Sequence, residues 1–154
     1  MTKRVFRSIF LASLAVLLAT LALILGALYT YFSDVQAEQL RLQTALVAHA
    51  LETEGVSYFD GLDTADRRVT WIAADGTVLY DSRSDSGVME NHLEREEVKA
   101  ALATGSGTSF RYSDTLMERY IYTAQRLSDG TVLRLSAAQN TVPHLVLGVV
   151  KPII

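Results

Sequence analysis

The chain has 154 residues, 49% of them hydrophobic and 20% charged, with a formal charge of -3, two prolines and no cysteine. With no thiol to pair, a disulfide-stapled scaffold is excluded. Plentiful aromatic and β-branched residues argue against disorder, and an acidic balance without a basic run argues against a nucleic-acid binder.

The hydrophobicity is concentrated. From Ser8 to Ser33 there is no Asp, Glu, Lys or Arg. About 20 apolar helical residues cross a bilayer core, so residues 9–32 are expected to form a transmembrane helix. Lys3, Arg4 and Arg7 precede the run and Asp34 and Glu38 follow it. The positive-inside rule then places residues 1–8 in the cytoplasm and the rest of the chain outside. A cleaved signal peptide with a site at Val35-Gln36-Ala37 is the alternative, but the run is longer than a usual apolar signal core.

Residues 34–141 hold all 17 acidic residues and ten of the 14 basic ones, a formal charge of -7. Such a region disfavours direct docking on anionic lipid. Asp34 to Glu54 contains no Gly or Pro and reads as a long outer helix that Gly55 ends. Its stripe is Val35, Leu42, Leu46 and Ala50, widened by Leu40, Val47 and Leu51. A stripe that wide is able to face both a sheet and a partner helix, and a parallel homodimer through Val35, Leu42, Leu46 and Ala50 is expected.

Tyr58 to Asp63 reads as a loop. Val69–Ala74 and Thr77–Asp81 read as strands joined at Asp75-Gly76. Residues 82–93 are polar and irregular. Glu94–Thr104 reads as a short helix with Gly105 as its C-cap, and Asn91 as a residue that caps it. Three further strands are expected over 107–113, 118–127 and 131–137, the last two joined at Ser128-Asp129-Gly130. The order implies an α+β fold: a five-stranded antiparallel sheet with helices on one face. Residues 142–154 turn apolar again, and are expected to begin a second transmembrane helix cut short at Ile154.

Several segments resemble, in order, one known kind of domain. They are Arg68 to Ser82, with Trp71 and Asp75-Gly76; Met89 to Val98, with Asn91-His92; Gly107 to Thr115, with Arg111-Tyr112-Ser113; and Asp129 to Ser136. Together they resemble the PAS-like (PDC, or single Cache) extracytoplasmic sensor domain of bacterial membrane-bound two-component histidine kinases. The subgroup is similar to the phosphate-responsive and cell-envelope sensor kinases. The resemblance implies a PAS-like sensor domain over 34–141 that signals across the membrane as a homodimer to a cytoplasmic kinase core, which phosphorylates a response regulator. ATP and Mg are then expected only for that core and no cofactor for this chain. Glu96 stands where family members often carry Pro, and an acid also suits a helix N-terminus.

The chain itself offers no catalytic constellation. His49, His92 and His144 lack a phosphoacceptor context, and there is no Gly-rich nucleotide loop. The candidate ligand site is Arg111 with Tyr122 and Ser82, beside Ser109 and Ser113, because a guanidinium forks onto carboxylate or phosphate. The bland alternative pairs Arg111 with Asp81 or Glu118 across strands. Tyr80 and Tyr120 are candidates for the same pocket or for simple packing. Asp81, Asp85 and Glu90 carry oxygen ligands for a divalent ion, but acids in a polar loop are usually solvated and no metal is expected. His92 is expected to bond to backbone, with pH sensing as its functional alternative. Other function classes that fit are the input domain of a chemoreceptor or cyclic-dinucleotide enzyme, or a membrane-anchored accessory protein.

Overall fold

The structure, a computed structural model, describes residues 2–61, 67–113 and 118–139. The second apolar segment expected over 142–154 lies outside them. The chain divides into two compact units, Met1–Val35 and Gln36–Ile154. Helix α1 runs Thr2–Glu54. Its N-terminal section is long and apolar enough to cross a membrane, and none of that stretch is buried. The side chains of Thr20 and Thr30 satisfy themselves on backbone carbonyls within the helix, as polar groups in hydrocarbon must.

Within the second unit, α1 ends at Glu54, where Gly55 takes a φ of 71°. The segment read as a loop begins inside a 3₁₀ turn, Gly55–Gly61, which buries Phe59. Strands β1 (Arg68–Ile72) and β2 (Val78–Asp81) follow. Next come a short 3₁₀ turn at Ser86–Val88 and helix α2 (Glu96–Thr104). Strands β3 (Ser106–Ser113), β4 (Glu118–Arg126) and β5 (Val132–Ala138) complete the fold. The five strands form one sheet in the order β2-β1-β5-β4-β3, antiparallel throughout. The α+β class read from the sequence holds.

The expectation that the helices share one face does not. Alternation along β5 sends Leu133 and Leu135 to one side and Val132, Arg134 and Ser136 to the other. The first side packs with Leu40, Ala48 and Leu51 of α1, and with Phe59, Val69 and Ile121. The second packs Ile72, Ala124 and Val132 against Val98 and Ala101 of α2. Each face of the sheet therefore has its own helix. Residues 55–138 are too few to close a core with one layer of helix, and a sheet apolar on both faces needs two covers. Thr44 and Thr123, both buried, hydrogen-bond to each other between α1 and β4.

Two glycines make the second face possible. At Gly107 a Cβ would stand 2.2 Å from the Glu97 carbonyl oxygen, so only a glycine lets α2 lie this close to β3. Gly76, at φ 87°, lies against Asn91, whose Oδ1 a Cβ would meet at 2.3 Å. Asn91 does not cap α2 as expected. Its amide donates to the Asp75 carbonyl while its oxygen accepts from Leu93 N–H. Arg95 occupies the N-cap without a side-chain cap bond. The Asn91 contacts, with His92 N–H donating to the Gly76 carbonyl, tie the 82–95 connection to the β1–β2 hairpin.

Candidate functional site

The α2-facing side of the sheet carries more than apolar residues. Arg68 and Thr70 of β1, Arg134 and Ser136 of β5, Tyr122 of β4 and Ser109 and Arg111 of β3 belong to it by alternation and cross-strand register. The 82–95 connection supplies Met89, Glu90 and His92, and Arg95 stands at the start of α2. Between connection and sheet is a cleft of about 380 Å³ lined by Arg68, Arg111, Tyr112, Tyr122 and Arg134 of the sheet with Met89, Glu90, His92 and Arg95.

Glu97 anchors the cluster from below. It is fully buried, in the first turn of α2. Its carboxylate accepts from Ser109 Oγ at 2.6 Å and from an Arg111 guanidinium nitrogen, and a second guanidinium, that of Arg134, lies 3.4 Å away. Burial alone raises the Glu97 carboxyl, but the Ser109 hydrogen bond and the Arg111 charge outweigh it and hold the group below its ordinary value. Glu97 therefore stays ionised at neutral pH.

Arg134 is 5% exposed. Burial is the main force lowering its affinity for the proton, with Arg111 and Arg68 adding repulsion and Glu97 opposing. A guanidinium stays charged under such a load. It donates to Thr70 Oγ1 at 3.2 Å, and its Nε has no acceptor among the described residues. The Nε of Arg111 is likewise buried without a partner among them. Both guanidiniums face one ring: Arg111 lies 3.9 Å from the Tyr122 centroid and Arg134 5.5 Å. A ring face partly offsets cationic charge but cannot replace an anion.

Arg68 is bound by the second buried carboxylate. Asp81 accepts both Arg68 Nε contacts at 2.9 and 3.0 Å, the Thr70 hydroxyl at 2.8 Å, and the backbone N–H groups of Arg83 and Ser84. Burial pushes this carboxyl up, and these donors bring it below its usual value. His92 sits among the cations with 5% of its surface exposed. Burial first, and then the Arg134 charge, hold it below the usual histidine value, so it is neutral at pH 7. Its Nδ1 is 2.7 Å from the Glu90 carbonyl, which assigns the neutral proton to Nδ1.

The structure brings Arg111 and Tyr122 together as anticipated from sequence, but Ser82 stands apart. Its hydroxyl accepts from Val69 N–H at 3.0 Å, closing the β1–β2 ladder. Arg111 forms its ion pair with Glu97 of α2 and not with Asp81, whose partner is Arg68; the Glu118 side chain lies outside the described ones. Tyr80 stacks on Phe59 at 4.2 Å, on the α1 face, away from the cleft. Asp85 accepts from Gly87 N–H in the 3₁₀ turn. Among the described residues no three His, Asp or Glu side chains gather in a metal-holding group.

Sequence reasoning missed Glu97 and Arg134. A signal existed for both. Glu97 is four residues before Ala101, on the apolar side of α2, and Arg134 alternates between Val132 and Ser136 in a strand otherwise buried. A larger cavity of about 450 Å³ lies on the other face, between Gln36, Gln39, Leu40 and Gln43 of α1 and the sheet. Apart from Arg67 its lining is uncharged, so nothing there fixes a ligand's orientation as the guanidiniums do.

No protein-family model matches the chain, and no curated protein does. Among solved structures it is similar to the extracellular domain of a protein described as a histidine kinase, rpHK1S-Z16. Identity is 13% and the TM-score 0.42, over 56% of this chain and 36% of that one. The functional reading therefore rests on the geometry of this chain.

Proposed function

We propose that the chain is the signal-input region of a membrane-bound two-component histidine kinase, with its sheet domain outside the cell membrane and residues 1–8 in the cytoplasm. It relays an extracytoplasmic stimulus to a cytoplasmic kinase core, and through that core to a response regulator. The observation that carries the reading is α1. One helix contains both an uncharged apolar section of membrane-crossing length and the residues Leu40, Thr44, Ala48 and Leu51 that pack on the sheet. Changed packing of those residues on the sheet would then act on the same helix that carries the apolar section. The other α1 stripe supports the proposed parallel homodimer. Leu42 is 52% and Leu46 70% exposed, and Val35 and Ala50 are half-buried.

The topology test uses cysteines at Thr2 and Ser57 in cells that express the whole chain. A membrane-impermeant thiol reagent should label only the second. Equal protection of both overturns the orientation. The signalling test fuses the whole chain to a histidine kinase core and inserts one alanine after Asp34. One residue rotates a helix by about 100°. Kinase output in membrane vesicles should change with one insertion and return towards the starting level with seven. An output indifferent to all insertions from one to seven overturns the relay.

A further inference from the structure

We propose that the cavity between α1 and the opposite face of the sheet binds an uncharged sugar, held by the side-chain amides of Gln36, Gln39 and Gln43. Binding stands on the lining of that cavity alone. That the sugar is a stimulus rests on the input-region reading.

The cavity, about 450 Å³, lies where large packing residues run out. Along the α1-facing side of β5 the series is Leu133, Leu135 and Ala137. The leucines fill the space under α1, whereas Ala137 and Ala138 leave a shallow floor. A helix that only packed there would carry apolar side chains above that floor. The sequence instead places Gln at 36, 39 and 43, which share one stripe with Leu40 at helical spacing and line the cavity. None of the three amides is committed to a hydrogen bond among the described residues. Gln139 lies two residues beyond Ala137, on the same face by alternation. It is 3% exposed, and its Oε1 has no donor among the described residues.

Such a lining selects by what it refuses. Among the described residues no acid lines the cavity, so a cation finds no partner. The one charged residue, Arg67, is exposed and screened by water, so an anion gains little. A wholly apolar guest strips water from the amides and returns no hydrogen bond, which is unfavourable. Each carboxamide offers an accepting oxygen and two donated N–H groups, and a hydroxyl both donates and accepts. Neighbouring hydroxyls of a sugar therefore match these amides in either orientation, while the C–H face of the ring rests on Leu40, Ile121 and Ala137. The volume falls within the roughly 300–1,000 Å³ of small-molecule sites. A sugar held this way touches α1 on one side and β4 and β5 on the other, so occupancy bears directly on how α1 packs on the sheet.

The test measures thermal unfolding of the whole chain in a polyoxyethylene detergent, which has no sugar headgroup. Glucose, galactose, N-acetylglucosamine and maltose are titrated, each against glycine betaine at matched osmolality, because polyols also stabilise proteins by exclusion from their surface. At least one sugar should raise the melting temperature saturably, with half-saturation at about 10 mM or below, an affinity that three net hydrogen bonds sustain. Gln39 is exposed, so Gln39→Ala should leave the sugar-free protein folded and weaken binding about 3- to 10-fold. Ala137→Leu fills the floor and should abolish saturation. Saturation by none of the four sugars overturns the site. Saturation that both variants leave unchanged also overturns it, since the sugar then binds elsewhere. In the kinase fusion, the sugar that binds should shift output in membrane vesicles, and binding with unmoved output overturns its role as stimulus. None of these results touches the alanine-insertion test of signal relay, so the two readings fail separately.

Discussion

Replacing Glu97 should expose how strongly the cleft depends on one acid. In Glu97→Gln the amide still accepts from Ser109 but no longer neutralises Arg111 or Arg134. The two arginines respond differently. Arg111 has 30% of its side chain exposed and recovers part of its hydration, whereas Arg134, at 5%, does not. Breaking a buried pair from one side costs about 3–5 kcal/mol. The rehydration of Arg111 places Glu97→Gln near the lower limit, about 3 kcal/mol, and Glu97→Ala higher because it also leaves a cavity. For a domain of this size that corresponds to a fall of roughly 10–20 °C in melting temperature. The assay is thermal and urea unfolding of the whole chain in detergent, followed by the signal of Trp71. Adding Arg134→Leu to Glu97→Leu should restore at least half of the loss, since the orphaned cation goes with its partner. The acid limb of stability provides a second check. The folded Glu97 carboxyl titrates below its unfolded value. Its contribution is therefore present above about pH 5 and lost as pH falls through the folded value. Below pH 5 the wild type should lose stability more steeply than Glu97→Gln. A Glu97→Gln cost under about 1 kcal/mol, with an unchanged acid limb, would refute the reasoning.

Three further outcomes follow from other parts of the fold. Gly107→Ala drives a methyl into the Glu97 backbone and should cost about 1–3 kcal/mol or more by urea unfolding, while Gly105→Asn at the α2 C-cap should cost far less. Phe59→Ala removes the ring stacked on Tyr80 and tilted 6.3 Å from Trp71; about 3–5 kcal/mol should be lost, with a shift in Trp71 fluorescence. Single cysteines along residues 35–50 should form intermolecular disulfides in membranes that peak at Val35, Leu42, Leu46 and Ala50 and are weakest at Leu40, Thr44 and Ala48; a flat profile counts against the homodimer.

What the sequence made legible, and what it did not, divides along one physical line. Gly55, Asp75-Gly76, Gly105 and Asp129-Gly130 mark chain reversals through their own backbone freedom, so the element boundaries could be read locally. The α+β class followed from periods of 2 and 3.6 for the same reason. Two-sidedness could not be read this way. Val132 and Leu133 are equally apolar, and only the arrival of α2 on one face and α1 on the other tells them apart. The site is still less local. Arg111 and Tyr122 sit opposite one another's neighbours in the β3–β4 register and were found together by alternation. Their anionic partner comes from a different element, in a helical turn where an acid already has a sufficient local reason to exist. Glu97 thus satisfies two demands at once, and the local one hid the tertiary one. The same holds for Arg134, whose β-strand pattern gives no hint that its charge is inside. Two such disguised residues meeting in one cleft is an arrangement a purely structural sheet has little reason to keep, because an apolar pair of equal volume would be as stable or more so. Arg134 and Glu97 are both buried at that cleft, and Arg68, Arg95 and Arg111 complete the charge around His92.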